Sequence, residues 1–242
     1  MAREDQAILS MSTNERLEFV SSSTKQNQTW YAVEFRVMEK GEAGPREGTQ
    51  YDLTQGCPRC GTGSRQLSPL LLRKSDLPAN RPIAQTLDHD LLLRDDLANS
   101  ILEATGTGAH LWPVLERKTR QPLPWWQLYP QYTFPKADEA TRGLVTKRQC
   151  AECHRDGHFS DRNHPDLSFV YRLPKVQVET LPHVCATWEC FGWSNLIEDP
   201  PDAVPRRVLR FARPCIIVSE TVGRVLREAS TKVVLYPVRF IT

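Results

Sequence analysis

The sequence has no hydrophobic run long enough to cross a bilayer. Its longest apolar stretches, such as Cys215 to Val218, fall far short of the ~20 residues that a spanning helix needs. It also has almost no net charge: 31 basic against 29 acidic residues leave +2, so no long-range field draws in nucleic acid or an anionic membrane surface. Small clusters such as Arg206-Arg207 read as solvated surface. A phosphate-binding glycine loop, HExxH, GxSxG and the dinucleotide fingerprint are all missing. That excludes the enzymes legible from a short motif, though not one whose residues are scattered through the fold. The opening residues, Met1 to Gln6, carry no apolar stretch, so the expectation is no secretory signal and a cytoplasmic location.

What the chain does have is cysteine in pairs. Of its seven cysteines, four form Cys57-Pro58-Arg59-Cys60-Gly61 and Cys150-Ala151-Glu152-Cys153. Two-residue spacing lets both thiolates of a pair reach one ion, and two pairs supply the four sulfurs of a closed tetrahedral zinc site. The glycine after Cys60 suits a knuckle in which a residue of positive φ turns backbone amides toward a thiolate. A redox dithiol normally sits where a strand meets a helix N-terminus, and no such unit surrounds the first pair. The expectation is one structural zinc held by Cys57, Cys60, Cys150 and Cys153, clamping the chain across the 89 residues between Cys60 and Cys150. His154 is an alternative ligand, and His158 and His164 are further candidates. All three read first as surface-loop histidines, and a nearby ring N–H or Arg155 is a possible donor to the sulfurs. His183 and Cys185, with Cys190, raise the question of a Cys–His nucleophile, which needs contact and an orienting third group. The apolar neighbours of Cys185, Cys190 and Cys215 favour the core instead.

The length suits one large domain or two small ones. We expect a flexible segment at 1–28 and one α+β domain at 29–242, with subdomains at about 29–135 and 136–242 bridged by the metal. A first strand is expected at Thr29 to Glu39 with Tyr31, Val33, Phe35 and Val37 on its apolar face. Loops are expected at Gly41 to Gln50 and around Asp199 to Asp202, and a strand at Leu167 to Leu173. A weak repeat relates Leu93–Val114 to Ile217–Val238, with five identities in twenty-two gapless positions, among them Pro113-Val114 with Pro237-Val238. Each copy reads strand, helix, strand. The helices bury Leu97, Ile101 and Leu102 in one copy and Val222, Val225 and Leu226 in the other. Asp95 or Asp96, and Ser219, are the expected N-caps. Between the copies, Pro122 to Pro135 carries four prolines and five aromatics. It cannot be a helix interior, and it serves either as core cover or as a recognition surface. The expected fold is therefore α+β: a mixed sheet with a few helices, two weakly repeated strand–helix–strand units and a zinc-ribbon-like four-cysteine site.

The order CPRCG, a Leu/Ile-rich strand–helix–strand, CAECHRDGHFS and a closing strand–helix–strand ending in Pro-Val resembles the double-CXXCG motif proteins of myxobacteria. The resemblance covers about residues 50–242, and only the CxxC motifs are specific. The second motif reads Cys153-His154 where the family has Cys-Gly. Members of that family include immunity partners in swarming-inhibitor toxin–immunity pairs. The resemblance thus implies a non-catalytic zinc-binding protein that binds and neutralises a cognate toxin, with Cys57, Cys60, Cys150 and Cys153 as the residues carried over. Two rivals stand beside it. One is a zinc-ribbon nucleic-acid-binding or regulatory protein, which the near-neutral charge disfavours. The other is an enzyme whose pocket holds His183, Cys185 and a carboxylate.

Overall fold

A computed structural model describes residues 29–37, 41–161, 167–196, 208–210 and 212–241. The expected flexible segment 1–28, His164, Arg206-Arg207, the loop at Asp199–Asp202 and the end of the expected first strand lie outside the described residues. In chain order the strands and helices are β1 (Trp30–Phe35), β2 (Tyr51–Asp52), β3 (Arg65–Gln66), β4 (Leu71–Leu72), β5 (Ile83–Gln85), β6 (Leu91–Arg94), α1 (Asp95–Thr105), β7 (His110–Glu116), β8 (Pro122–Tyr129), β9 (Tyr132–Thr133), β10 (Leu144–Thr146), β11 (His158–Ser160), β12 (Phe169–Arg172), α2 (Lys175–Glu179), β13 (Val184–Phe191), β14 (Asn195–Leu196), β15 (Val208–Arg210), β16 (Arg213–Ser219), α3 (Glu220–Ala229) and β17 (Val233–Ile241). The class is α+β, with strands dominating over three helices among the described residues.

Two main sheets form. The smaller runs β4-β7-β8-β6-β5 and the larger β10-β11-β13-β16-β1-β17-β12, with β9 added beside β13. Both strand–helix–strand units exist and share a topology. β6 and β7 flank β8, each antiparallel to it. β16 and β17 flank β1 in the same way. The middle strand follows its unit in one case and comes from the N-terminal side in the other. So the sheets do not divide the chain near residue 135: β1 and β9 lie in the larger sheet, because only a strand inserted between β16 and β17 satisfies both inner edges.

The gapless repeat needs one correction. Buried Leu97, Ala98 and Ile101 of α1 correspond to buried Val222, Gly223 and Leu226 of α3, an offset one residue longer than that relating Pro113 to Pro237. Leu102, expected in the core, is 37 % exposed. The helix caps differ as well. Arg94 occupies the N-cap of α1, which leaves Asp95 and Asp96 inside the first turn, where carboxylates favour the helix dipole. Ser219 does occupy the N-cap of α3, but its side chain does not cap the helix.

The two helices meet between the sheets. Leu97 and Ile101 of α1, Val222 and Leu226 of α3, Leu91 and Leu93 of β6, and Val33 and Phe35 of β1 share one apolar cluster. Each sheet also buries its outer face. Leu72, Leu92, Val114 and Trp125 pack behind the smaller one. Trp30, Ala32, Phe134, Phe169 and Tyr171 pack behind the larger. This explains why both sides of β1 pack inward where it starts: Trp30, on the side opposite Val33, is 1 % exposed, while Glu34 further along the Trp30 side reaches solvent. It also explains the unbroken apolar runs of β6 and β16, which doubly covered strands require. The aromatic segment forms β8 and the turn after it. Trp125 and Phe134 are buried, Phe134 stacks on Tyr171 at 4.5 Å, and Trp126 Nε1 donates to Asp95 Oδ1 at 2.8 Å. Of its two sequence readings, core cover is the one these residues fulfil.

Candidate metal centre

Each cysteine pair sits at the tip of a β-hairpin. β2 and β3 close the first at Asp52 and Arg65, and β10 and β11 close the second at Thr146 and His158. Asp52 Oδ1 accepts the Thr54 N–H at 3.0 Å and caps the short 3-10 turn Leu53–Gln55 that leads into Cys57. Beyond it the Gly61 N–H donates to the Cys57 carbonyl at 2.7 Å, and the Cys57 N–H donates to the Thr62 carbonyl at 3.0 Å. In the second knuckle the His154 N–H donates to the Cys150 carbonyl at 3.0 Å. The Cys150 N–H donates to Oδ1 of buried Asp156 at 2.7 Å. The matching residues Gly61 and His154 take φ of 70° and 53°. Both knuckles thus make the same left-handed reversal, one with the residue type that adopts it freely and one without.

The larger sheet and the first hairpin bring the tips together. His158 of β11 pairs in parallel with Phe191 of β13, flanked by hydrogen bonds from the Gly157 N–H to the Gly192 carbonyl (2.7 Å) and from the Gly192 N–H to the His158 carbonyl (3.1 Å). Thr62 Oγ1 of the first knuckle lies 2.8 Å from Ser194 Oγ, just past β13. The result places the Sγ atoms of Cys57, Cys60, Cys150 and Cys153 all within 4.8 Å of one another. Across the knuckles, Cys57 lies 3.9 Å from Cys150 and Cys60 lies 3.5 Å from Cys153. A tetrahedral ion with metal–sulfur bonds of about 2.3 Å needs sulfur–sulfur edges of about 3.8 Å. The donor set fits such an ion.

The local chemistry agrees. Burial pushes the thiols of Cys60 and Cys153 up, so thiolates there need a compensating cation. Amide donors already point at the sulfurs: Thr62 N–H at Cys60 and Arg155 N–H at Cys153. At Cys150, burial pushes the thiol up, but the Cys153 and Glu152 amides and the neighbouring thiols outweigh it and leave it below its usual range. Thr62 Oγ1 lies 3.1 Å from Cys60 Sγ. A tetrahedral ion held by all four sulfurs would have no open position for water or substrate.

The remaining sequence candidates lie elsewhere. His154 is exposed and outside the sulfur group. His158 is buried in β11, with Nε2 3.1 Å from Gln149 Nε2. Cys185, Cys190 and Cys215 are set in β13 and β16, and burial pushes each thiol up to about 12, which suppresses nucleophilicity. Cys185 Sγ donates to the Pro182 carbonyl at 3.2 Å. His183 Nδ1 instead lies 2.7 Å from Oγ of Ser219, a residue fully withdrawn from solvent. Sequence reasoning missed this pair, because Ser219 reads as a helix cap. It ties the end of β16 to the turn before β13, and the His183 N–H donates to the Gly108 carbonyl of the smaller-sheet lobe at 3.0 Å.

No protein-family model matches the chain, and no curated protein matches it in sequence. Among the described residues, no helix is long and apolar enough to cross a membrane.

Proposed function

We propose that the four-cysteine centre holds one structural zinc ion, and that the chain is a non-catalytic binding protein of the immunity type, which neutralises a cognate toxin by occluding it. The observation that carries this reading is the closed set of four sulfurs from two distant hairpins. Cysteine sulfur and tetrahedral spacing suit zinc, and a saturated ion contributes folding free energy in place of chemistry. The inert, buried environments of Cys185 and Cys190 support a role without covalent catalysis. The toxin-neutralising part rests on the likeness of CPRCG and CAEC, in their order along the chain, to the double-CXXCG proteins.

Two experiments test the two parts. Metal analysis of the purified protein is expected to give one zinc per chain, and Cys57→Ser or Cys150→Ser should release it. A loss of about 3 kcal/mol in a chain of this size lowers Tm by about 6–12 °C. Full zinc content and an unchanged melt in Cys57→Ser would refute the shared site. For the second part, the protein is co-expressed with a candidate toxin drawn from the genes beside its own; undiminished killing would refute neutralisation while leaving the zinc assignment standing.

A further inference from the structure

Between the two sheets, beside the first knuckle, lies a cavity of about 640 Å³, within the range of small-molecule sites. Its walls come from β8 and β6 of the smaller sheet, β13 and β16 of the larger, and both knuckles. One side is a polar floor whose members bond one another. Gln66 and Gln127 exchange amide hydrogen bonds of 2.8 and 3.0 Å, and Gln127 Nε2 donates to Asp90 Oδ1 at 3.2 Å. Arg213 lies 3.7 Å from Asp90 and donates to the Tyr51 hydroxyl at 2.5 Å. Among the described residues Asp90 is the only carboxylate lining the cavity, and Arg213 offsets it.

Two more arginines line the same cavity, Arg65 from β3 and Arg155 from the second knuckle. Arg65 pairs with Asp52 at 3.6 Å across an exposed contact, a pairing that contributes little and that a ligand can displace. Arg155 is half-buried and has no carboxylate within ion-pair distance among the described residues. Its Nε donates to the Trp188 carbonyl at 3.2 Å, its guanidinium lies 5.5 Å over the Trp188 ring, and its Nη1 lies 2.5 Å from where a Cβ on Gly63 would stand. A planar cation held by a carbonyl, a ring and a glycine keeps terminal N–H groups for a further acceptor.

We propose that this cavity between the sheets binds a small organic anion, with its carboxylate or phosphate taken by Arg155 and Arg65 and its polar body set against the Gln66–Gln127 floor. The shared chemistry is a compact anion with hydrogen-bonding groups behind it. The proposal does not depend on the toxin-neutralising role, and the test below does not involve a toxin.

The test is calorimetric titration of the purified full chain with three probes: inorganic phosphate, citrate and adenosine 5′-monophosphate. Saturable binding of at least one probe is expected, with affinity falling as salt rises. Preference for phosphate or the nucleotide would identify a phosphorylated ligand, and preference for citrate a carboxylate. Arg155→Gln and Arg65→Gln should each weaken binding roughly ten-fold, the scale of one charge-assisted hydrogen bond. Arg46→Gln, in the exposed turn Pro45–Glu47 away from the cavity, should leave it unchanged. Metal content and melting temperature of each variant separate a lost contact from a lost fold. The proposal is overturned if no probe binds saturably, or if the Arg65→Gln/Arg155→Gln double variant, folded and metal-replete, binds as tightly as the parent.

Discussion

His154 holds a backbone conformation that Gly61, its counterpart in the first knuckle, reaches without strain. Left-handed φ costs a non-glycine residue about 1–2 kcal/mol, partly offset by the smaller entropy an unfolded histidine loses compared with glycine. His154→Gly is therefore expected to keep its metal and to be as stable as the parent or up to about 1 kcal/mol more so, as measured by urea unfolding with metal analysis. Metal loss in that variant would make His154 a ligand after all. A second residue, Glu189, is 2 % exposed, with Oε1 accepting the Ala137 N–H at 2.7 Å and Oε2 without a hydrogen-bond partner among the described residues. Burial pushes its carboxyl above the usual range, and the Ala137 amide only partly opposes that. The folded state therefore keeps the proton in a window where the unfolded chain has lost it. Stability is full below the ordinary carboxylate range and falls as pH rises through the raised value. Glu189→Gln preserves the acceptor and removes the charge. It should match the parent at acid pH and exceed it at neutral pH in urea midpoints taken across the range; a pH-independent difference would count against an ionised Glu189.

Helices α1 and α3 show where periodicity serves and where it misleads. The i, i+3, i+4 spacing placed Leu97, Ile101, Val222 and Leu226 correctly in the core, because one helical face must be apolar to pack. It also admitted Leu102, which lies on the edge of the same stripe; helix rotation against the sheet, set by contacts with distant strands, leaves that residue outside. Ile101→Ala and Leu226→Ala should each cost about 2–5 kcal/mol, whereas Leu102→Ala should cost less than about 1 kcal/mol. Denaturant midpoints of the three variants decide the matter, and equal losses would put Leu102 in the core. At β1, alternation picked out Tyr31, Val33 and Phe35 as the apolar face. The opposite face, with Trp30 and Ala32, is buried as well, since β1 is central in a sheet covered on both sides. Alternation marks one face as apolar but is silent about a second packing layer.

Across the whole molecule, the two hairpin tips meet at the four-cysteine cluster, the first tip is also held to the segment after β13 by Thr62 and Ser194, and the sheets are joined by the apolar helix pair. Metal removal should therefore loosen the tips first. Hydrogen exchange after chelation is expected to speed up across 57–64 and 147–157 while β1, β16 and β17 stay protected. Uniform loss of protection would mean instead that the ion supports the entire fold. The spacing of the cysteines picked out, without structural help, the four sulfurs that converge, because two residues between thiols is a local geometric requirement that any knuckle must meet. The strand–helix–strand grammar was likewise local and legible. What the sequence could not supply was long-range: that β1 slots between β16 and β17, that the aromatic run becomes a central strand, and that Arg155, Arg65 and Arg213 face one cavity. Those arrangements depend on which buried edges and faces can be satisfied together. That is a property of the assembled sheets, and no window of residues contains it.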